Sequence, residues 1–63
     1  MKNNFIFSDL IPGALVRCPS QPNWGIGQVQ SCIGSKATIN FENSGKKVID
    51  LTIVNLDIIE NAN

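Results

Sequence analysis

The sequence predicts a small all-β domain built from five short strands. Turn-forming residues recur at short intervals, and the segments between them are rich in β-branched residues, as in small all-β domains. No segment keeps apolar residues at helical spacing over about 11 residues. The 63 residues are expected to form a single domain, 1–63, with its core at about 11–59. Residues 1–9 and 60–63 are expected to be less ordered.

The strands are predicted from alternation between apolar and polar positions. Their predicted bounds are 14–18, 27–33, 36–42, 46–51 and 56–59. In the first strand, Ala14 and Val16 face one way. Strict alternation in the second strand gives two faces, one with Val29, Ser31 and Ile33, the other with Gln28, Gln30 and Cys32. The third strand alternates most clearly, with Ala37, Ile39 and Phe41 as its core positions.

Glycines indicate how the later strands are joined. Gly34 and Ser35 fit a two-residue type II′ turn, which needs positive φ at its first central residue. In the turn 43–45, Gly45 is expected to take a left-handed conformation and form a bulge. The fourth strand then contributes Ile49 and Leu51 to the core.

A single 3₁₀ turn at 52–54 is expected before the last strand. Five strands, a long first loop, two tight hairpins and this turn favour a small five-stranded SH3-like (Tudor-like) barrel. A partly open barrel with Greek-key order is the alternative. Closure is favoured because a chain this small cannot leave a flat sheet with two bare edges.

Composition argues against several kinds of activity. The chain has no histidine, the usual general base near neutral pH. Two cysteines without histidine cannot complete a four-ligand zinc site within one chain. Gly25 and Gly27 are followed by a predicted strand, whereas a phosphate-binding loop needs the N-terminus of a helix. We therefore predict no enzyme activity, no cofactor and no metal site.

Charge and cysteine usage bear on partners and compartment. Five Lys and Arg balance five Asp and Glu, so the chain lacks the cationic excess typical of nucleic-acid-binding proteins. Cys18 and Cys32 are out of register for a disulfide and are predicted to be reduced thiols. No apolar run has the length of a signal peptide or a membrane span. These features predict a cytoplasmic protein.

Three segments carry a resemblance to known proteins: 12–17 (PGALVR), 24–29 (WGIGQV) and 38–47 (TINFENSGKK). In this order they resemble a family of small stand-alone bacterial proteins, a domain of unknown function. They also resemble the Tudor-like, SH3-like module at the C-terminus of UvrD/PcrA-type DNA helicases and, more distantly, CarD-like RNA polymerase-interacting domains. The resemblance covers about 11–59.

The resemblance implies a docking module, since the helicase module is implied to contact RNA polymerase. The chain departs from the helicase pattern at three places. Cys18 stands where histidine is common, and Trp24 replaces phenylalanine. In the fourth strand, Val48 or Ile49 stands where an aromatic residue is usual. The resemblance therefore implies docking without naming the partner.

Six residues are predicted to bind a partner: Arg17, Trp24, Gln28, Gln30, Lys46 and Lys47. Trp24 is interpreted either as a plug over one end of the barrel or as an anchor for a partner, and the two are compatible. Arg17, Lys36, Lys46 and Lys47 supply most of the positive charge and form either a solvated rim or a small basic patch.

The leading functional hypothesis is a non-catalytic protein-interaction module, with RNA polymerase or a DNA-repair factor as partner. It would bind through an exposed strand edge and the Trp24 loop. Two alternatives stay open: a weak nucleic-acid-binding accessory, and a small homo-oligomeric structural protein paired through edge strands.

Overall fold

A computed structural model describes residues 10–60. The five strands are β1 (Leu15–Arg17), β2 (Ile26–Ile33), β3 (Lys36–Phe41), β4 (Gly45–Asp50) and β5 (Asp57–Glu60). A 3₁₀ helix, Pro22–Trp24, joins β1 to β2. Within this part of the chain no helix is long and apolar enough to cross a membrane. The expectations for 1–9 and 61–63 lie outside the described residues.

The strands form one open antiparallel sheet in the order β4-β3-β2-β1-β5. The meander β2–β3–β4 is local, whereas β1 pairs with β2 on one side and with β5 on the other. The prediction of an all-β fold with five strands is confirmed. The expected closure into a barrel is not found, because β4 and β5 are the two ends of the hydrogen-bonding order.

The sheet curls around a single core. The buried core residues come from β1 to β4 and from the segments around them: Leu10, Ala14, Val16, Cys18, Val29, Ala37, Ile39, Phe41, Ile49, Leu51 and Leu56. Ile49 on β4 and Ile58 on β5 contact this same cluster from opposite ends of the sheet. A flat sheet could not bring its two edge strands onto one cluster, so the sheet is strongly curved. The core positions predicted in β3 and β4 are confirmed.

A β-bulge in β2 overturns the predicted faces of its second half. Val29 pairs with Ile39 but Ser31 pairs with Thr38, so the register shifts and Gln30 is the extra residue. An extra residue reverses the alternation beyond it. Cys32 therefore packs against the core opposite Ala37, and Ile33 is 78% exposed, the reverse of what strict alternation predicts.

The two hairpin turns follow their glycines. Gly34 has φ +59 and Ser35 has no positive φ, which fits the predicted type II′ turn and not type I′. Gly45 has the predicted positive φ, +77. The expected bulge there is wrong, because β3 and β4 pair without a register shift up to Phe41 opposite Gly45.

The position predicted for the 3₁₀ turn is also wrong. The 3₁₀ helix lies at Pro22–Trp24, where Pro22 supplies the fixed φ that favours a first helical position. Residues 51–53 instead form a hydrogen-bonded turn, in which the Asp50 carbonyl accepts from the N–H groups of Ile53 (3.1 Å) and Val54 (3.0 Å).

Candidate functional site

Trp24 forms an aromatic cluster where the first loop meets the end of β3. Its ring centroid lies 5.1 Å from that of Phe41, with the planes tilted by 55°. The Nζ of Lys47 lies 4.9 Å from the Trp24 centroid, within the range of a cation–π contact. Tilted aromatic pairs at this separation are favourable beyond the area they bury. We call Trp24, Phe41 and Lys47 the Trp24 corner.

Gly27 forms the floor of the corner. It pairs with Phe41 across the sheet, and a Cβ at this position would stand 2.7 Å from Cδ1 and Cε1 of the Phe41 ring. It would also stand 2.5 Å from Cγ2 of Ile39. The missing side chain therefore makes room for Phe41. From core to surface, the contacts run from Gly27 through Phe41 and Trp24 to Lys47.

The β3–β4 turn clamps the backbone on both sides of Trp24. The N–H of Asn43 donates to the Trp24 carbonyl (3.0 Å), and its Nδ2 donates to the Asn23 carbonyl (3.2 Å). The Glu42 carboxylate accepts from the N–H of Ile26 (3.0 Å), and the N–H of Glu42 donates to the Ile26 carbonyl (2.9 Å). Four hydrogen bonds therefore hold the loop against the turn.

Gly25 lets the loop approach this turn. Its φ is +79, which side-chain-bearing residues rarely adopt, and a Cβ would stand 2.5 Å from Cγ of Glu42. The same Cβ would stand 2.8 Å from Nδ2 of Asn43. The glycines of the Trp-Gly-x-Gly segment thus allow the backbone to place Trp24 in the corner and then to continue into β2.

The six predicted partner-binding residues divide into two groups. Trp24 and Lys47 meet in the corner, since Lys47 pairs with Ile39 and shares its core-facing side at the edge of the sheet. The other four are exposed and away from this contact: Arg17, Gln28, Gln30 and Lys46.

The exposed group follows the outer side of the sheet. Gln28 pairs with Asn40, which pairs in turn with Lys46, so these three side chains form a polar row across β2, β3 and β4. Arg17 lies on β1 between Ile26 and Asp57, and Gln30 lies at the bulge. The structure therefore does not gather the six residues into one patch.

The burial of Trp24 is compatible with both of its predicted roles. Trp24 is half-buried and packs against the core cluster, as a plug does, yet part of the side chain faces solvent, as an anchor does. Lys47 covers a ring face, which leaves less of the π surface for other cations or for stacked bases.

Sequence reasoning missed the clamp residues Glu42 and Asn43. The sequence predicts Glu42 only as the end of a strand and Asn43 only as part of a turn, because their hydrogen-bond partners at 23–26 are distant in sequence. Glycines such as those at 25 and 27 are typical of a close backbone approach, but they do not identify the residues that approach. The two thiols lie elsewhere: Cys18 is buried, with Sγ 3.5 Å from Oγ of Ser20, and Cys32 is half-buried.

One family model matches the chain over residues 10–59, and its description is "Protein of unknown function (DUF3553)". The matched region takes in every strand except the final residue of β5, together with the whole Trp24 corner. Searches of curated proteins and of solved structures found no significant match. The match agrees with the expected family of unknown function.

Proposed function

The chain belongs to the DUF3553 family, and we propose that it is a non-catalytic protein-interaction module that docks on a larger protein through the Trp24 corner and the adjoining edge strand β4. The observation that carries this proposal is the half-buried Trp24, supported by Phe41, covered by Lys47 and held by the turn that follows β3.

A tryptophan that is already ordered can act as an anchor without the cost of ordering its side chain on binding. Tryptophan is enriched among the residues that dominate binding energy at interfaces. Ordering a mobile side chain on binding costs about 0.5–1.5 kcal/mol, and a side chain that is already ordered avoids this cost. The clamp on the Trp24 backbone and the contacts of its ring with Phe41 and Lys47 supply that order before a partner arrives.

Strand β4 adds a second binding element beside the corner. Within residues 10–60 it is hydrogen-bonded on one side only, to β3. An extended partner segment can add to such an edge through main-chain hydrogen bonds, while side chains give specificity. Lys46 is exposed and Val48 is 65% exposed on this strand, so both can contact a partner.

RNA polymerase or a DNA-repair factor is the proposed client. This part rests on the likeness of segments 12–17, 24–29 and 38–47 to helicase and CarD-like modules. The SH3-like (Tudor-like) assignment is part of the same proposal. The antiparallel five-stranded order and the curvature of the sheet around one core support it.

The test is capture of purified bacterial RNA polymerase and of repair factors by the immobilised chain. We expect capture by the wild type, and loss of at least about tenfold in affinity for Trp24→Ala, as for a hot-spot residue. Lys47→Gln is the second variant, because it removes the ammonium without removing a core contact. Ile53→Ala is the control, since Ile53 is 78% exposed and lies outside the corner.

Two outcomes would contradict the proposal. Absence of polymerase subunits and repair factors from the captured material would reject the client. Equal capture by wild type, Trp24→Ala and Lys47→Gln would reject the corner as the contact surface. Thermal melting of each variant separates loss of binding from loss of fold.

A second candidate is a weak nucleic-acid-binding accessory. Lys46 and Lys47 are adjacent on β4 and favour it, although Lys47 already covers Trp24. Fluorescence anisotropy with RNA and DNA would then show binding that weakens steeply with salt and with Lys46→Ala plus Lys47→Ala. Flat titrations at low salt would reject this candidate.

A further inference from the structure

The sheet ends in two edge strands that differ in charge. Within residues 10–60, β4 is bonded only to β3, and β5 only to β1. Strand β4 carries Lys46 and Lys47, and β5 carries Asp57 and Glu60. Edges of this kind present unpaired N–H and C=O groups, which can pair with another strand.

Most of these edge charges have no opposite charge directly across the sheet. Lys46 lies opposite Asn40, Lys47 opposite Ile39, and Glu60 opposite Leu15. Asp57 is the exception, since it lies opposite Arg17.

The remaining charge of β4, Asp50, is matched within the chain. It lies opposite Lys36 and accepts hydrogen bonds from the N–H (3.0 Å) and hydroxyl (2.6 Å) of Thr52. It therefore does not offset the two lysines at the other end of the strand. One edge is left basic and the other acidic.

We infer that two copies of this chain associate head to tail, with the β5 edge of one copy paired alongside the β4 edge of the other. Opposite charges across neighbouring strands are favourable, and like charges directly opposite are destabilising. Antiparallel pairing of β4 with β4 would set the lysines against Asp50, which already lies opposite Lys36 and accepts hydrogen bonds from Thr52, and pairing β5 with β5 would bring carboxylates together. The mixed pairing sets Lys46 and Lys47 against an edge whose charges are both carboxylates.

The mixed pairing also covers exposed apolar side chains at both edges. Val48 on β4 is 65% exposed and Ile59 on β5 is 44% exposed. Because the two paired surfaces differ, each added copy presents a free edge for the next, so association continues beyond a dimer. The contact is weak, because β5 has four residues.

Self-association through β4 occupies the edge that the proposed function assigns to a partner strand, so the two events exclude one another. The inference itself rests on the two edges and not on the identity of any partner. A chain that binds no polymerase can still associate with itself, so the two experiments fail independently.

The test is sedimentation equilibrium of the chain over a range of concentrations, at low and high salt. We expect the average mass to rise with concentration past that of a dimer, and to fall with added salt. The first variant is Lys46→Glu with Lys47→Glu, and the second is Asp57→Asn with Glu60→Lys. Each variant alone is expected to associate up to about fivefold more weakly than the wild type, since it places like charges at the contact.

An equimolar mixture of the two variants is expected to recover association, because each restores opposite charges to the other. A matched pair of double variants separates the effect of where the charge lies from the effect of net charge. Lys46→Gln with Lys47→Gln and Gln28→Glu with Gln30→Glu both lower the net charge by the same amount, yet only the former alters an edge. The control pair is expected to associate like wild type.

Three results would overturn the inference. The first is a wild type that stays monomeric at every concentration. The second is growth that stops at a dimer and is insensitive to the charge reversals. The third is an equal loss of association in the edge pair and the control pair. The Asp57→Asn with Glu60→Lys variant does not touch the Trp24 corner, so Trp24 fluorescence verifies its fold.

Discussion

At the scale of single residues, the two glycines after Trp24 are needed for different reasons. Gly25 needs both its positive φ and the space beside Glu42 and Asn43. Gly27 has no positive φ, so only the space under Phe41 requires it. A side chain at 27 would therefore act through packing alone.

We expect Gly27→Ala to lower the free energy of unfolding by about 1–3 kcal/mol, the usual cost of overpacking a core. The added methyl would press on Phe41 and Ile39. Urea denaturation followed by Trp24 fluorescence measures the change. Gly34→Ala is the control. A Cβ at Gly34 would meet no atom within 4 Å, so this substitution carries only the cost of placing alanine at φ +59, about 1–2 kcal/mol of stability. A neutral Gly27→Ala would contradict the close packing of Phe41.

Asp50 is expected to make the stability of the fold depend on pH. The hydroxyl of Thr52, then its N–H, and Lys36 hold the pKa of the Asp50 carboxyl below its ordinary value. A group whose folded pKa is lowered stabilises the fold above its unfolded pKa, near 3.9, and loses that effect as pH falls through the folded pKa. Stability is therefore expected to decline below about pH 4.

Melting temperatures measured from pH 6 down to pH 2 test this dependence. We expect the acid-induced decline to be shallower in Thr52→Val, which keeps the side-chain shape and removes the hydroxyl that lowers the pKa most. Parallel curves for the two proteins would show that this hydrogen bond does not set the pKa of Asp50.

At the scale of elements, the bulge in β2 decides which side chains are buried near the β2–β3 hairpin. Gln30 is inserted between residues that pair with Ile39 and Thr38. The insertion turns Cys32 toward the core and Ile33 toward solvent.

We expect Cys32→Asn to destabilise the protein by about 1–3 kcal/mol, because a polar amide enters a partly buried apolar site. Ile33→Asn is the matched substitution, and it should change stability by no more than about 0.5 kcal/mol at its exposed position. Urea denaturation of both variants gives the comparison. A larger loss of stability for Ile33→Asn than for Cys32→Asn would indicate strict alternation in β2 and would contradict the bulge.

The elements that the sequence predicts well are those set by local chemistry. Ala37, Ile39 and Phe41 face the core as their spacing predicts, and Gly34 takes the φ of its turn. The bulge at Gln30 was not predictable, because no glycine or proline accompanies it and its cause lies in the pairing with β3. A 3₁₀ turn was predicted before the last strand, at 52–54, but the 3₁₀ helix lies between β1 and β2, at Pro22–Trp24.

The candidate site divides in the same way. Trp24 and Lys47 were both predicted, but their contact depends on how β4 lies beside the first loop. The hydrogen bonds of Glu42 and Asn43 to residues 23–26 depend on the same tertiary arrangement. Spacing within one segment carries no information on such contacts.

At the scale of the whole molecule, one small core supports every element. Domains of this length have a free energy of unfolding of roughly 3–9 kcal/mol, taking about 0.05–0.15 kcal/mol per residue. Removing a large buried side chain therefore takes away a large share of that total.

We expect Ile39→Ala to cost about 2–5 kcal/mol, since Ile39 is fully buried on β3. Val48→Ala is the control, because Val48 is 65% exposed on the neighbouring strand. Thermal denaturation should show a marked fall in Tm for the former and little change for the latter. A mild effect of Ile39→Ala would show that the core can collapse around the deletion.

The position of β1 has a consequence for the order of folding. Its two neighbours come from very different distances along the chain, since Val16 pairs with Gly27 on one side and with Ile58 on the other. The local meander β2–β3–β4 can form early, because short loops close at low entropic cost. The pairing of β1 with β5 must wait until residues 57–60 have been synthesised. We therefore expect the meander to form first and docking of β5 to complete the native sheet.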